Sequence, residues 1–195
     1  MIVMTKIKIS AITAILLSLI ACSPKAPDAT TQAATNSSPA AVIEAVKPVD
    51  AWHYFTSEDK MSGDTVYFAN LHSSNTVDFA FPYNGEQNAS VTLMSDSRPK
   101  KSAMFSIKKG QILCQSYQDC LVQVRFDDSP PGYYKAVGAS DQSTTTIHFR
   151  DGDKFFQELK KAKRLRIAAE MYQEGSPVFE FDVSAFDLQK FLPKK

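Results

Sequence analysis

The sequence predicts a mainly β protein: one antiparallel, sandwich-like domain with a single C-terminal α-helix, preceded by a lipoprotein leader and a disordered tether. Three observations carry this reading. From Trp52 onward, β-rich runs recur every ~8–12 residues with turn signals between them, the spacing of a sandwich or barrel. A single stretch, 153–163, instead places Phe155, Phe156, Leu159 and Ala162 on one helical face. Residues 23–48 contain no aromatic and no glycine and are dominated by Ala, Pro, Ser and Thr.

The leader comes first. Lys6 and Lys8 precede an apolar run, 9–20, broken only by Ser10, Thr13 and Ser18. A membrane-spanning helix needs ~20 apolar residues, so this run has the length of a secretory signal and not of a span. Leu19, Ile20, Ala21 and Cys22 follow it, and this ending resembles a bacterial lipobox. The resemblance implies a leader over 1–21 and a diacylated Cys22 as the mature N-terminus, held to a membrane by its acyl chains at ~0.8 kcal/mol per buried methylene. Ser23 stands where an aspartate marks inner-membrane retention in such lipoproteins, which favours the outer membrane and its periplasmic face.

Residues 22–48, the anchored cysteine and the Ala/Pro/Ser/Thr segment behind it, read as a tether. Such a composition buries too little apolar surface to offset the entropy of ordering it. As a flexible coil its 26 residues after Cys22 reach about 28 Å on average. The remaining 147 residues, 49–195, suit one domain that folds without metal. Loss of Lys6 and Lys8 with the leader leaves 20 basic against 21 acidic side chains, a balance that offers nucleic acid nothing.

Within the domain, 51–56, 65–71 and 77–81 read as strands, with a Pro82–Gly85 turn after the third. Segments 90–94, 102–108, 133–139 and 144–149 continue the series. At its centre, 110–132 reads as a hairpin, with Ile112 and Cys114 on one strand. Cys120, Val122, Val124 and Phe126 share the inner parity of the other, and Asp127 to Gly132 closes it with turn residues. The helix follows, capped by Asp151 or Asp153, with Lys160, Lys161 and Lys163 expected in its last turn where cations suit the helix dipole. A closing hairpin pairs 165–172 with 178–183 around Gly175.

Candidate chemistry is sparse. With Cys22 lipidated, Cys114 and Cys120 remain in an oxidising compartment, where a disulfide is the expected state; their spacing is not C-x-x-C. His53, His72 and His148 are scattered and none has metal-ligand spacing, so no metal and no cofactor are expected. Three S-x-x-K matches, at Ser57, Ser97 and Ser106, fall in strand or turn contexts without the S-D-N and K-T-G companions that a serine nucleophile of that type needs. Asp127 and Asp128 are adjacent and point to opposite sides of a strand, which suits a capped turn better than a chelate. Beside Arg125 they are nonetheless candidates to bind a divalent cation or a basic ligand, and Tyr133 and Tyr134 add aromatic surface of the kind interfaces favour.

The segment 124–128 (VRFDD), the helical pattern from Phe155 to Ile167 and the ending Phe179-x-Phe181-Asp182-Val183-Ser184-x-Phe186 resemble the type VI secretion-associated VasI/TagO-like envelope proteins. The ending is also similar to invasion-associated locus B proteins. The resemblance covers roughly 110–186 and implies a small exported, non-catalytic protein; it supplies no active-site residues. The expected function is a lipid-anchored binding or assembly module with an envelope protein as partner. The alternative is a periplasmic hydrolase whose residues, His53, His72, Asp127 and Asp128 among them, meet only in three dimensions.

Overall fold

The computed structural model describes residues 52–96 and 101–192; the leader, Cys22, the tether and the Ser97 match lie outside them. The elements are β1 (His53–Glu58), β2 (Thr65–His72), β3 (Val77–Phe79), β4 (Gly85–Gln87), β5 (Ala89–Ser95) and β6 (Lys101–Ile107). They continue with β7 (Cys120–Phe126), β8 (Gly132–Gly138), β9 (Thr146–Phe149), α1 (Gly152–Leu159), β10 (Arg164–Ala168), β11 (Val178–Asp182) and α2 (Leu188–Phe191). Nine strands form one sheet in the order β1-β2-β5-β6-β9-β8-β7-β10-β11, and β3 pairs with β4 in a small second sheet. Every pairing is antiparallel. The mainly β, sandwich-like architecture expected from strand spacing is what the chain adopts.

Period-2 alternation builds the sheet. Ala89, Val91 and Leu93 of β5 and Ala103, Phe105 and Ile107 of β6 all turn inward and are buried. Val122, Val124 and Phe126 do the same on β7, and Phe179 and Phe181 on β11. The sheet rolls over on itself to bury that face. Phe105 of β6 and Phe179 of β11 are separated by four strands in hydrogen-bonding order, β9, β8, β7 and β10, yet their rings are 5.9 Å apart. Helix α1 adds Phe155, fully buried against Phe126, Tyr134 and Phe149 at centroid distances of 5.6, 6.0 and 4.5 Å. Burying one such ring contributes ~1.5–3 kcal/mol.

Rolling brings the two ends of the sheet towards one another. The outer edge of β11 would otherwise present unpaired backbone groups, and the loop after β2 covers it. Ser74 N donates to Glu180 O at 2.7 Å. The Asn75 side chain then acts as a stand-in for a neighbouring strand, its Oδ1 accepting from Glu180 N at 2.8 Å and its Nδ2 donating to Val178 O at 2.9 Å. Ser73 Oγ fixes this loop by donating to Asn75 O and accepting from Ala89 N. Exposed strand edges template aggregation, and this is how one of them is blocked.

Several expectations need correction. The 110–132 segment is not a hairpin: Ile112 makes only an isolated bridge to Met171, and β7 pairs instead with β8 and β10. Gly110 has φ +126°, a conformation that breaks an extended run. Beyond it the backbone finds other partners: Ile112 N donates to Thr144 O, Leu113 N to Glu170 O, and Tyr172 N to Gln111 O. Cys114 therefore lies in a loop, and its disulfide to Cys120 at the start of β7 spans 5.3 Å between Cα atoms. The helix is shorter than expected. Asp151 is its N-cap, accepting from Lys154 N at 2.9 Å, and its end tightens through Lys161 N to Glu158 O and Ala162 N to Leu159 O. No basic residue sits in its last turn; Lys163 precedes β10 and Arg164 opens it. A second helix, the single turn α2, is capped by Asp187 and buries Phe191, so the single-helix expectation misses one element.

Candidate functional site

The outer face of β8, β7, β10 and β11 holds the residues that the sequence marks as binding candidates. Register fixes the rows. Tyr133 lies opposite Gln123, Gln123 opposite Ala168, and Ala168 opposite Val178. Two pairs further along, on the same face, Arg125 stands directly opposite Arg166, and Arg166 opposite Glu180. Tyr133, Leu121 and Val178 are exposed at 68%, 61% and 45%, large apolar surface left on a face that is otherwise polar. Between them Arg125, Pro131, Arg166 and Ile167 line a hollow of about 160 Å³. A wider groove of about 450 Å³ continues over Arg164, Arg166, Glu180, Asp182 and Ser74.

Like charges directly opposite each other destabilise a sheet by ~0.2–1 kcal/mol, so the Arg125–Arg166 pair needs an explanation. Each guanidinium has an anchor. Arg125 Nε donates to Ser129 O at 2.9 Å, clamping the turn after β7. Arg166 donates to Asp127 O at 3.3 Å and pairs with Glu180 at 3.2 Å. Arg125 also donates to Asp128 O at 3.4 Å, and the guanidinium itself is a planar fork suited to carboxylate or phosphate groups.

Asp127 and Asp128 do different work from that expected of a binding pair. Asp127 takes a positive φ of 48°, which Asp tolerates better than most residues. Its Oδ1 accepts from Lys163 N at 2.8 Å and Arg164 N at 2.9 Å, locking the connection from α1 into β10. These backbone hydrogen bonds, from Arg164 first and then Lys163, hold its carboxyl below the usual value. Asp127 is thus a brace for the face. Asp128 pairs with Arg164 at 2.8 Å on the open surface, an arrangement worth little on its own.

Tyr134 must be withdrawn from the binding set. Adjacent residues on a strand face opposite sides, and while Tyr133 is exposed Tyr134 is 7% exposed in the core. Its ring packs edge-on against Phe126 and Phe149, and Lys154 Nζ lies 4.8 Å over it. Burial, then a hydrogen bond to Glu158, pushes its hydroxyl pKa well up.

The residues of the alternative hydrolase are not brought together. His53 opens β1 opposite Asn70, and His72 ends β2 beside a separate hollow with Ser90 and Lys108. Asp127 is engaged by backbone amides, as above. His148 is half-buried on β9, and burial lowers its pKa. Among the described residues no group of three or more His, Cys, Asp or Glu could hold a metal ion. Arg166, Glu180 and Leu121 join the candidate face without a sequence signal, since only strand register sets them beside Arg125 and Tyr133. Compared with known protein families, curated proteins and solved structures, the chain finds no match.

Proposed function

We propose that this chain is a lipid-anchored envelope protein that acts as a non-catalytic binding or assembly module. In this reading Cys22 carries the acyl anchor at the periplasmic face of the outer membrane, and the face around Arg125 and Arg166 takes an envelope protein partner. The observation that carries it is the composition of that face: two register-opposed arginines flanked by exposed Tyr133, Leu121 and Val178. Tyr and Arg dominate binding hot spots, because each combines a large contact area with directed hydrogen bonding. Anchoring through Cys22 would raise the local concentration of such a domain near membrane-bound partners. The likeness of the C-terminal half to secretion-associated VasI/TagO-like proteins makes a secretion assembly the first place to look.

The test is site-specific photocrosslinking in the envelope. A photoreactive residue in place of Tyr133 should capture one protein reproducibly, and Arg166→Glu should abolish the capture, whereas the same probe at the exposed Met61, in the turn between β1 and β2, should capture nothing. Capture that ignores Arg166→Glu would defeat the assignment of the face. Turnover of a periplasmic substrate that is lost on His53→Ala would defeat the non-catalytic reading.

A further inference from the structure

A second polar hollow lies at the other end of β8 from Tyr133, beside the disulfide loop. We propose that it is a binding site for an uncharged saccharide. Its volume is about 340 Å³, within the ~300–1,000 Å³ range of small-molecule sites. One wall is Gln115, Ser116 and Tyr117; the other is Gln142, Ser143 and Thr144.

No acidic, basic or histidine side chain lines it. The charged residues nearest in sequence have other partners, Asp119 pairing with Arg150 at 2.7 Å and Asp141 capping Ser143 N at 2.9 Å. An ionised ligand would enter with no countercharge, and a purely apolar one would leave amide groups unpaired; both are costly. A ligand rich in hydroxyls suffers neither cost. Each hydroxyl both donates and accepts, and the amides of Gln115 and Gln142 offer both functions. No hydrogen bond holds either amide within the described residues, whereas Ser143 Oγ is held by Thr145 and Thr144 Oγ1 by Gly110 O. Tyr117, 80% exposed at the rim, supplies an apolar ring face on which the C–H side of a sugar can lie.

The site is also rigid. The Cys114–Cys120 bond closes the loop that carries Tyr117. Gly138 N donates to Gln115 O at 3.0 Å, and a Cβ at Gly138 would fall 2.4 Å from Cys114 O, so only glycine lets β8 approach the loop this closely. A wall held in place before binding spends no free energy on ordering.

Titration of the ¹⁵N-labelled full chain with chitotetraose and, separately, maltotetraose tests the proposal. At least one sugar should shift the amides of Tyr117, Gln142 and Ser143 in a saturable manner. Tyr117→Ala and Gln115→Ala, both at exposed loop positions, should each weaken binding by ~10-fold while the rest of the spectrum stays unchanged. Affinity should be the same at low and high salt, as expected when no ion pair forms. The proposal is overturned by any of four results: no shift in the pocket with either sugar at ~20 mM, shifts that survive both substitutions, a clear loss of affinity with salt, or saturable shifts produced by trialanine and not by the sugars.

Discussion

Removing the Asn75 side chain should loosen the β11 edge and leave the rest of the sheet in place. Asn75→Ala deletes two hydrogen bonds, one from Glu180 N at 2.8 Å and one to Val178 O at 2.9 Å. A net hydrogen bond contributes ~0.5–1.5 kcal/mol, and these lie at the surface where water replaces part of the loss, so the expected cost is ~1–2 kcal/mol. For a chain of this size that lowers the melting temperature by about 3–6 °C. Ser74 keeps its two hydrogen bonds to Glu180 O, so the loop stays in place and the damage is local. Hydrogen exchange gives the sharper readout: the Glu180 amide should exchange at least ~10-fold faster, as its partner Asn75 Oδ1 is gone, while Phe105 and Leu93 in the core keep their protection. An exposed edge should also promote self-association at high concentration, seen by light scattering. Unchanged Glu180 exchange with a melting shift under about 1 °C would refute the role given to Asn75.

Three further outcomes are expected. Cys114→Ser removes a cross-link across a short loop and should cost about 2 kcal/mol in reversible denaturation, with non-reducing peptide mapping of the parent chain recovering 114 and 120 in one linked fragment. Asp127 has a lowered folded-state pKa, so its contribution to stability is complete above its unfolded value and disappears as pH falls through the folded value; the stability gap between the parent and Asp127→Asn should close on acidification, below the ordinary carboxylate range. Mass spectrometry of the exported protein should find Cys22 as a diacylglyceryl N-terminus, and a product cleaved elsewhere would remove the anchor from the proposed function.

The strands were legible because their alternation is strict. Val122, Val124 and Phe126 or Ala103, Phe105 and Ile107 admit one inward face, and a one-residue slip would expose all three. The central segment was misread because Cys114 and Cys120 are spaced for a hairpin, while the partners of residues 111–113 lie at 144, 170 and 172, beyond the reach of local pattern. The burial of Tyr134 is legible in the sequence. Lys135 shares parity with Tyr133, so Tyr133 belongs to the wet side and Tyr134 to the core. Asn75 carries no such signal: a Ser-Ser-Asn turn looks the same whether or not it covers a strand more than 100 residues away. The saccharide hollow is likewise a product of Gly138 meeting a distant loop, which composition does not encode.

The Arg125–Arg166 pair offers a way to separate a structural from a binding role. Each arginine is anchored to the turn after β7, so a purely structural account makes both stabilising and nearly independent. Register places them directly opposite, so a repulsive term of ~0.2–1 kcal/mol is expected on top of those anchors. A double-mutant cycle with Arg125→Gln and Arg166→Gln isolates that term, because each anchor is lost in its own single variant and cancels. A coupling showing that either substitution is better tolerated while the other arginine is still present, because it then relieves the clash, means that the fold carries a repulsion it could have avoided with one neutral residue. Folds depart from local rules of this kind chiefly where a site must be kept. A coupling of zero, or a favourable one, would return the pair to architecture and leave Tyr133 and Leu121 to carry the face alone.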